Sequence, residues 1–94
     1  MSKVEVTAAV VSDGWDCMVT VRNGRETQHR VRVSRADLAR LAPGESDPVS
    51  LVEASFAFLL EREPKESILR DFDLIVIGRY FPQYEQEIGH RLTF

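Results

Sequence analysis

Cys17 and His29 are residue types that can together supply a nucleophile and its general base. A hairpin in which Val19 pairs with Thr27 would set Cys17 directly opposite His29. Both residues then fall on a valine-rich face, where a cysteine packs as a small hydrophobe and a neutral histidine bonds to a backbone or hydroxyl group. No orienting aspartate or oxyanion loop accompanies them. We therefore predict no catalytic residue, and a small hydrolase built on this pair is only a third hypothesis.

Other patterns that carry chemistry do not occur in the sequence. Cys17, His29 and His90 lack the close spacing of a structural zinc site. The five glycines are isolated, so the sequence contains neither a phosphate-binding P-loop nor a dinucleotide fingerprint. Acidic pairs such as Asp71 with Asp73 fall near predicted helix ends or on solvated faces. We accordingly predict a protein that is not an enzyme and that uses no metal or cofactor.

The composition is that of a globular protein. The chain has 94 residues, of which 44% are hydrophobic and 29% charged, and we expect a single domain over residues 1–94. No apolar run is long enough to span a membrane, so we predict no membrane partner. A lone cysteine fits a reducing compartment, and we predict a cytoplasmic location.

Positive charge is concentrated in the middle of the chain. The formal net charge is −3, yet residues 22–40 are basic. Their arginines are Arg22, Arg25, Arg30, Arg32, Arg35 and Arg40. A net-acidic protein lacks the broad positive field of a strong nucleic-acid binder. We therefore favour a solvated arginine face that is paired with acidic neighbours.

The elements that must position these residues begin with strands. Alternating apolar residues predict three strands within residues 1–33. A turn at Asp13 and Gly14 would set Val10 opposite Cys17. A loop that ends with a left-handed Gly24 would keep the apolar rows of the second hairpin on one face, whereas a two-residue Asn-Gly turn would exchange the faces. The opposite face would carry a polar row of Gln28, Arg30 and Arg32.

Helices are predicted over residues 34–94. Ser34 would cap a helix from Arg35 to Leu41, and Asp47 would cap a long helix from Pro48 to Glu63. A short helical turn is expected from Ser67 to Arg70. Asp73 would begin a helix through Phe81, with strand as the alternative because Leu-Ile-Val-Ile has high β propensity. Pro82 would open a last helix that ends at Gly89. The prediction is an α+β fold, a three-stranded antiparallel meander followed by three to five helices packed on one face.

Two apolar features predict a contact with another protein. The long helix carries a stripe, separate from its main apolar face, that a chain this small is not expected to cover fully; its members are Leu51, Ala54 and Phe58. An aromatic cluster surrounds Pro82 and is either a core corner or an exposed patch; it comprises Tyr80, Phe81 and Tyr84, framed by Arg79. We therefore predict a small non-enzymatic interaction module, either a homodimer or a module that binds another protein.

One segment resembles other proteins. LVEASFAFLLEREPKESILRDFDLIVIGRYFPQYEQEI, from Leu51 to Ile88, is similar to a segment of short uncharacterised bacterial proteins. Its content is apolar and aromatic anchors around charge pairs. The resemblance implies a shared scaffold and transfers no catalytic residue.

The third strand and the helices after it resemble a ribbon-helix-helix DNA-binding unit, with Gln28, Arg30 and Arg32 as the alternating polar residues. In that family an antiparallel ribbon, one strand from each subunit, enters the major groove. The resemblance implies that the glutamine reads adenine and the arginines read guanine. This chain departs from the pattern, because two strands precede the polar strand and Asp47 would repel a phosphate at the second helix. A DNA-binding regulator is therefore the alternative function.

Overall fold

The fold is α+β, as predicted. The computed structural model describes residues 3–92, and the sheet that these residues form has four strands. The strands are β1 (Lys3–Val11), β2 (Gly14–Asn23), β3 (Arg25–Ser34) and β4 (Asp71–Asp73), and they lie side by side in that order. The first three form the predicted antiparallel meander, and β4 pairs parallel to β3. The expected count of three strands was wrong because β4 has one apolar residue between two aspartates, which is too short for a period.

Within these described residues, four helices follow or interrupt the strands: α1 (Arg35–Leu41), α2 (Val49–Leu60), α3 (Ile77–Tyr80) and α4 (Tyr84–Leu92). Short 3₁₀ turns lie at Lys65–Ser67 and Leu74–Val76. The first helix has the predicted bounds and cap, since the Ser34 hydroxyl accepts the Asp37 N–H at 3.0 Å. In α2 the Asp47 carboxylate accepts the Val49 N–H at 2.9 Å.

The C-terminal half departs from the predicted boundaries. The second helix ends at Leu60 instead of Glu63, because the Arg62 N–H bonds to the Leu59 carbonyl and tightens the last turn. The helix predicted through Phe81 is helical only from Leu74 to Tyr80, where it divides into a 3₁₀ turn and the single turn of α3, and Phe81 is extended. The last helix continues through Gly89 as far as Leu92, the last described residue. Local propensity does not fix these ends, which depend on packing.

The first hairpin has the predicted faces but a different register. Val10 lies opposite Trp15 instead of Cys17, and the turn residues are Ser12 and Asp13. Gly14 belongs to β2, where a Cβ atom would lie 2.1 Å from the Val33 carbonyl oxygen. The glycine is therefore needed for a close approach of two strands and not for the turn. A shift by an even number of residues leaves the same side chains on the same face.

The second hairpin is also shifted by two residues. Gly24 has the predicted left-handed conformation, with a φ of 78°, but Val19 lies opposite His29 instead of Thr27. The shift separates the cross-strand pair on which the catalytic hypothesis depended, because Cys17 lies opposite Val31. Both apolar rows again remain on one face.

The core lies between the inner face of the sheet and the helices. In the middle of β2 and β3, buried residues alternate with half-buried or exposed ones. Phe56 of α2 packs 5.3 Å from the His29 ring and 6.3 Å from Phe72 of β4, measured between ring centroids. The other stripe of α2 is covered by the C-terminal segment, since Phe58 packs edge to face on Phe81 and Tyr84. Helix α2 thus buries one apolar stripe against the sheet and the other against the C-terminal segment.

Candidate interaction surfaces

Cys17 and His29 are core residues with separate surroundings. Each is only 1% exposed. The Leu69 carbonyl can only accept, so the N–H at Nδ1 of His29 donates to it at 2.8 Å, and the Thr27 hydroxyl donates to Nε2 at 2.9 Å. These two partners select one tautomer of the neutral imidazole, and the ring ties the loop before β4 to the sheet.

The protonation behaviour of both groups follows from burial. Desolvation raises the pKa of the Cys17 thiol to about 11, helped by the charges of Asp16 and Asp47. Desolvation also lowers the pKa of His29, against the effect of its bond to Leu69. A thiol that stays protonated and a histidine whose nitrogens are both bonded do not form a nucleophile and base.

The predicted polar row lies on the outer, solvated face of the sheet, and its arginines are paired with acids. Arg30 donates to Asp16 at 2.7 Å. Arg32 donates to Asp71 at 2.5 Å and to Asp73 at 2.7 Å, so it joins β3 to β4. The bond from Arg30 lowers the pKa of Asp16. These pairs neutralise the charge that a DNA reader would present to phosphate and base edges.

The position of β3 also differs from the ribbon-helix-helix pattern. In that family the reading strand pairs with its counterpart in a second subunit. Here β3 has β2 on one side and β4 on the other, and residues 30–32 are paired on both. The Arg30 N–H further bonds to the Arg70 carbonyl at 2.7 Å. At residues 30–32, which include both arginines of the polar row, β3 therefore has no free edge with which to form an intermolecular ribbon.

The residues predicted to contact a partner fall in two groups. Leu51, Phe58 and Tyr84 are 0% exposed, because α2 and α4 cover them. Ala54 is half-buried. The Tyr84 hydroxyl bonds to Ser55 at 2.6 Å, which fastens α4 to α2. Apart from the half-buried Ala54, this group therefore has no accessible surface through which a partner could bind.

The other group lies at the corner before Pro82. Arg79 and Tyr80 are exposed, and Phe81 is half-buried. Tyr80 and Phe81 line an open cleft of about 330 Å³, together with Leu69 and Phe72. The cleft is mainly apolar, and Glu63 is the one carboxylate among its lining residues. Ionisable groups do not converge there as they would in a reactive pocket.

A third surface is the free edge of the sheet, which the sequence pattern did not identify. Strand β1 pairs only with β2 among the described residues, so its other edge presents unpaired backbone groups. The second half of this strand is exposed on both faces. Val10 is 70% exposed and Val11 is 42% exposed, and Ala8 and Ala9 are exposed as well. Alternation predicted Val10 as a core residue, but the helices do not reach it.

Edge strands of natural proteins usually carry features that prevent pairing with other chains, such as proline, bulges or inward-pointing charges. Strand β1 contains no proline, and its register with β2 is continuous from Lys3 to Val11. Its charges, Lys3 and Glu5, lie in its first half on the outer face. The second half is an unprotected apolar edge.

In residues 3–92, no helix is long and apolar enough to cross a membrane. Within the same residues, no three His, Cys, Asp or Glu side chains are grouped so that they could hold a metal ion. No protein-family model, curated protein or solved structure matches the chain. The resemblances of Leu51–Ile88 and of the third strand with its helices therefore stay predictions.

Proposed function

We propose that this protein is a non-enzymatic interaction module that forms a homodimer through the free edge of β1. The observation that carries the proposal is the exposure of the second half of that strand, Ala8 to Val11, at an edge with unpaired backbone groups. A second strand placed there would satisfy the backbone groups and cover the apolar side chains at the same time.

The competing surface is the cleft beside Tyr80. It is concave and apolar, which suits a side chain from another protein, but its backbone groups require no partner strand. The edge of β1 is the surface on which both the backbone and the side chains gain from association. We therefore assign the homodimer contact to the edge of β1 and use the cleft as the control surface.

The exposed surface of Val10 sets the expected contribution of this residue to dimer stability. Full burial of a valine stabilises by about 1.5–3 kcal/mol, so covering the 70% of Val10 that is exposed contributes roughly 1–2 kcal/mol per copy. Each dimer contains two copies, which gives roughly 2–4 kcal/mol. A Val10→Lys substitution should therefore weaken the dimer by about thirty-fold to several hundred-fold.

The experiment is sedimentation equilibrium of the native chain, Val10→Lys and Leu69→Lys over a wide concentration range. Leu69 is also an exposed apolar residue, 47% exposed, but it lines the cleft instead of the edge. We expect the native chain and Leu69→Lys to reach the mass of two chains and Val10→Lys to remain at one. Circular dichroism and unfolding midpoints serve to show that all three proteins are folded.

Two results would refute the proposal. If the native chain has the mass of one chain at every concentration, the edge does not dimerise. If Leu69→Lys dissociates the dimer and Val10→Lys does not, the chain associates through its cleft.

A further inference from the structure

We infer that the two copies pair their β1 strands antiparallel about a two-fold axis at Thr7, so that each Thr7 lies opposite the other. This inference rests on the proposed homodimer and specifies its geometry. Two copies of the four-stranded sheet would then form one continuous sheet of eight strands, with the two β4 strands at its ends.

The free backbone groups of β1 fix which residues can bond to a partner. Val11 and Gly14 lie opposite each other across a two-residue turn and are therefore a hydrogen-bonded pair. Such pairs alternate along an antiparallel ladder, so the odd-numbered residues of β1 bond to β2. The even-numbered residues direct their N–H and C=O groups to the free edge; they are Val4, Val6, Ala8 and Val10.

A two-fold axis at Thr7 uses all of these groups. It pairs Val4 with Val10 of the second copy and Val6 with Ala8, and the same pairs recur on the other side of the axis. Thr7 is the midpoint of the part of β1 that the structure describes, Lys3 to Val11, and every residue of that part has a partner. An axis at Glu5 or Ala9 would leave nearly half of these described residues unpaired.

The side chains complement each other in the same register. Residues opposite each other in an antiparallel pair share a face, so the even-numbered residues of both copies line the inner face. Val4 and Val6 are half-buried against the core, whereas Ala8 and Val10 are exposed. The exposed half of each strand would thus lie beside the covered half of the other.

Charge disfavours the register with its axis at Glu5. An axis at Glu5 would set two glutamates opposite each other, and like charges that face each other across a strand pair are destabilising. With the axis at Thr7, Glu5 faces Ala9 and Lys3 faces Val11 of the second copy. No charged residue of β1 then faces another charged residue of the partner strand.

The experiment is disulfide cross-linking under mild oxidation. Thr7 is exposed on the outer face, and across the proposed interface it forms a non-hydrogen-bonded pair with Thr7 of the second copy, in which Cα atoms lie about 4.5 Å apart, within the range that a disulfide spans. Thr7→Cys should therefore change from one chain mass to two on a non-reducing gel. The native chain, whose Cys17 is buried, serves as the control for background cross-linking.

Two matched variants test the register. In the proposed pairing, two copies of Ala9→Cys lie about 13 Å apart along the strand, and so do two copies of Glu5→Cys, which is too far for a disulfide. Each alone should stay at one chain mass, whereas an equal mixture of the two should form a linked dimer.

The outcomes separate the inference from the proposed function. A chain that sediments as a dimer but whose Thr7→Cys variant does not cross-link would overturn the axis at Thr7 and retain the edge contact. Cross-linking of Glu5→Cys or Ala9→Cys alone would overturn it as well and indicate another register. A monomeric native chain would overturn both.

Discussion

The buried hydrogen bond between Ser55 and Tyr84 makes a quantitative prediction, because it determines whether the second stripe of α2 is covered. Ser55 donates its proton to the Leu51 carbonyl at 2.7 Å, so the Tyr84 hydroxyl donates to Ser55. Both side chains are 0% exposed. Burial also raises the pKa of the tyrosine, which keeps its proton on the oxygen.

The direction of the bond makes the two single substitutions unequal. Tyr84→Phe removes one neutral hydrogen bond, and we expect a loss of about 1 kcal/mol in the free energy of unfolding. Ser55→Ala leaves the tyrosine O–H buried without an acceptor, and we expect a loss of about 1–3 kcal/mol. The double variant removes both polar groups, so its loss should be smaller than the sum by about 1 kcal/mol.

Urea unfolding of the four proteins at one fixed protein concentration measures these differences, since dimerisation makes the apparent stability depend on concentration. Losses that add within error, or a larger loss for Tyr84→Phe than for Ser55→Ala, would refute the assigned bond. In that case the contact between α4 and α2 would rest on apolar packing alone.

Three further predictions concern the core. Gly14→Ala should destabilise the chain by about 1–3 kcal/mol in urea unfolding, because the added carbon would overlap the Val33 carbonyl. Gly89→Ala in α4 should be neutral or stabilising by up to about 1 kcal/mol. Equal effects of the two substitutions would contradict the close approach of Gly14 to Val33. His29 has a lowered pKa, so its contribution to stability is complete above the unfolded value of 6.5 and is lost as the pH falls through the folded pKa. The unfolding midpoint should decrease over that pH range by more in the native chain than in His29→Gln, and an equal decrease would contradict this prediction. The Cys17 thiol should react with iodoacetamide far more slowly in the folded chain than in urea, and equal rates near neutral pH would show that it is accessible.

Sequence patterns predicted the α+β class, the faces of the meander and the bounds of α1, because these depend on local signals. Alternation fixes which side chains share a face, and Ser34 supplies the cap that starts α1. The registers were wrong by two residues in both hairpins. An even shift leaves the faces unchanged, so periodicity alone does not detect it.

The C-terminal half and the surface depended on contacts that no local signal contains. Strand β4 forms because β3 offers an edge and Arg32 bonds to both of its aspartates. The stripe of Leu51 and Phe58 was predicted as surface because its cover, α4, lies far along the chain. Conversely, alternation placed Val10 in the core, whereas the helices stop short of it. The sequence left the aromatic cluster around Pro82 as either a core corner or an exposed patch, and the structure divides it, since Tyr80 is exposed and Tyr84 is buried.

Amide hydrogen exchange along β1 tests the homodimer most directly. The odd-numbered amides, such as those of Thr7 and Ala9, bond to β2 in either state and should be protected at every concentration. If the edges pair, the amides of Val6 and Ala8 become equally protected as the protein concentration rises. If the amides of Val6 and Ala8 exchange as fast as solvent-exposed amides at every concentration while those of Thr7 and Ala9 stay protected, β1 has no partner strand and the proposed homodimer is wrong.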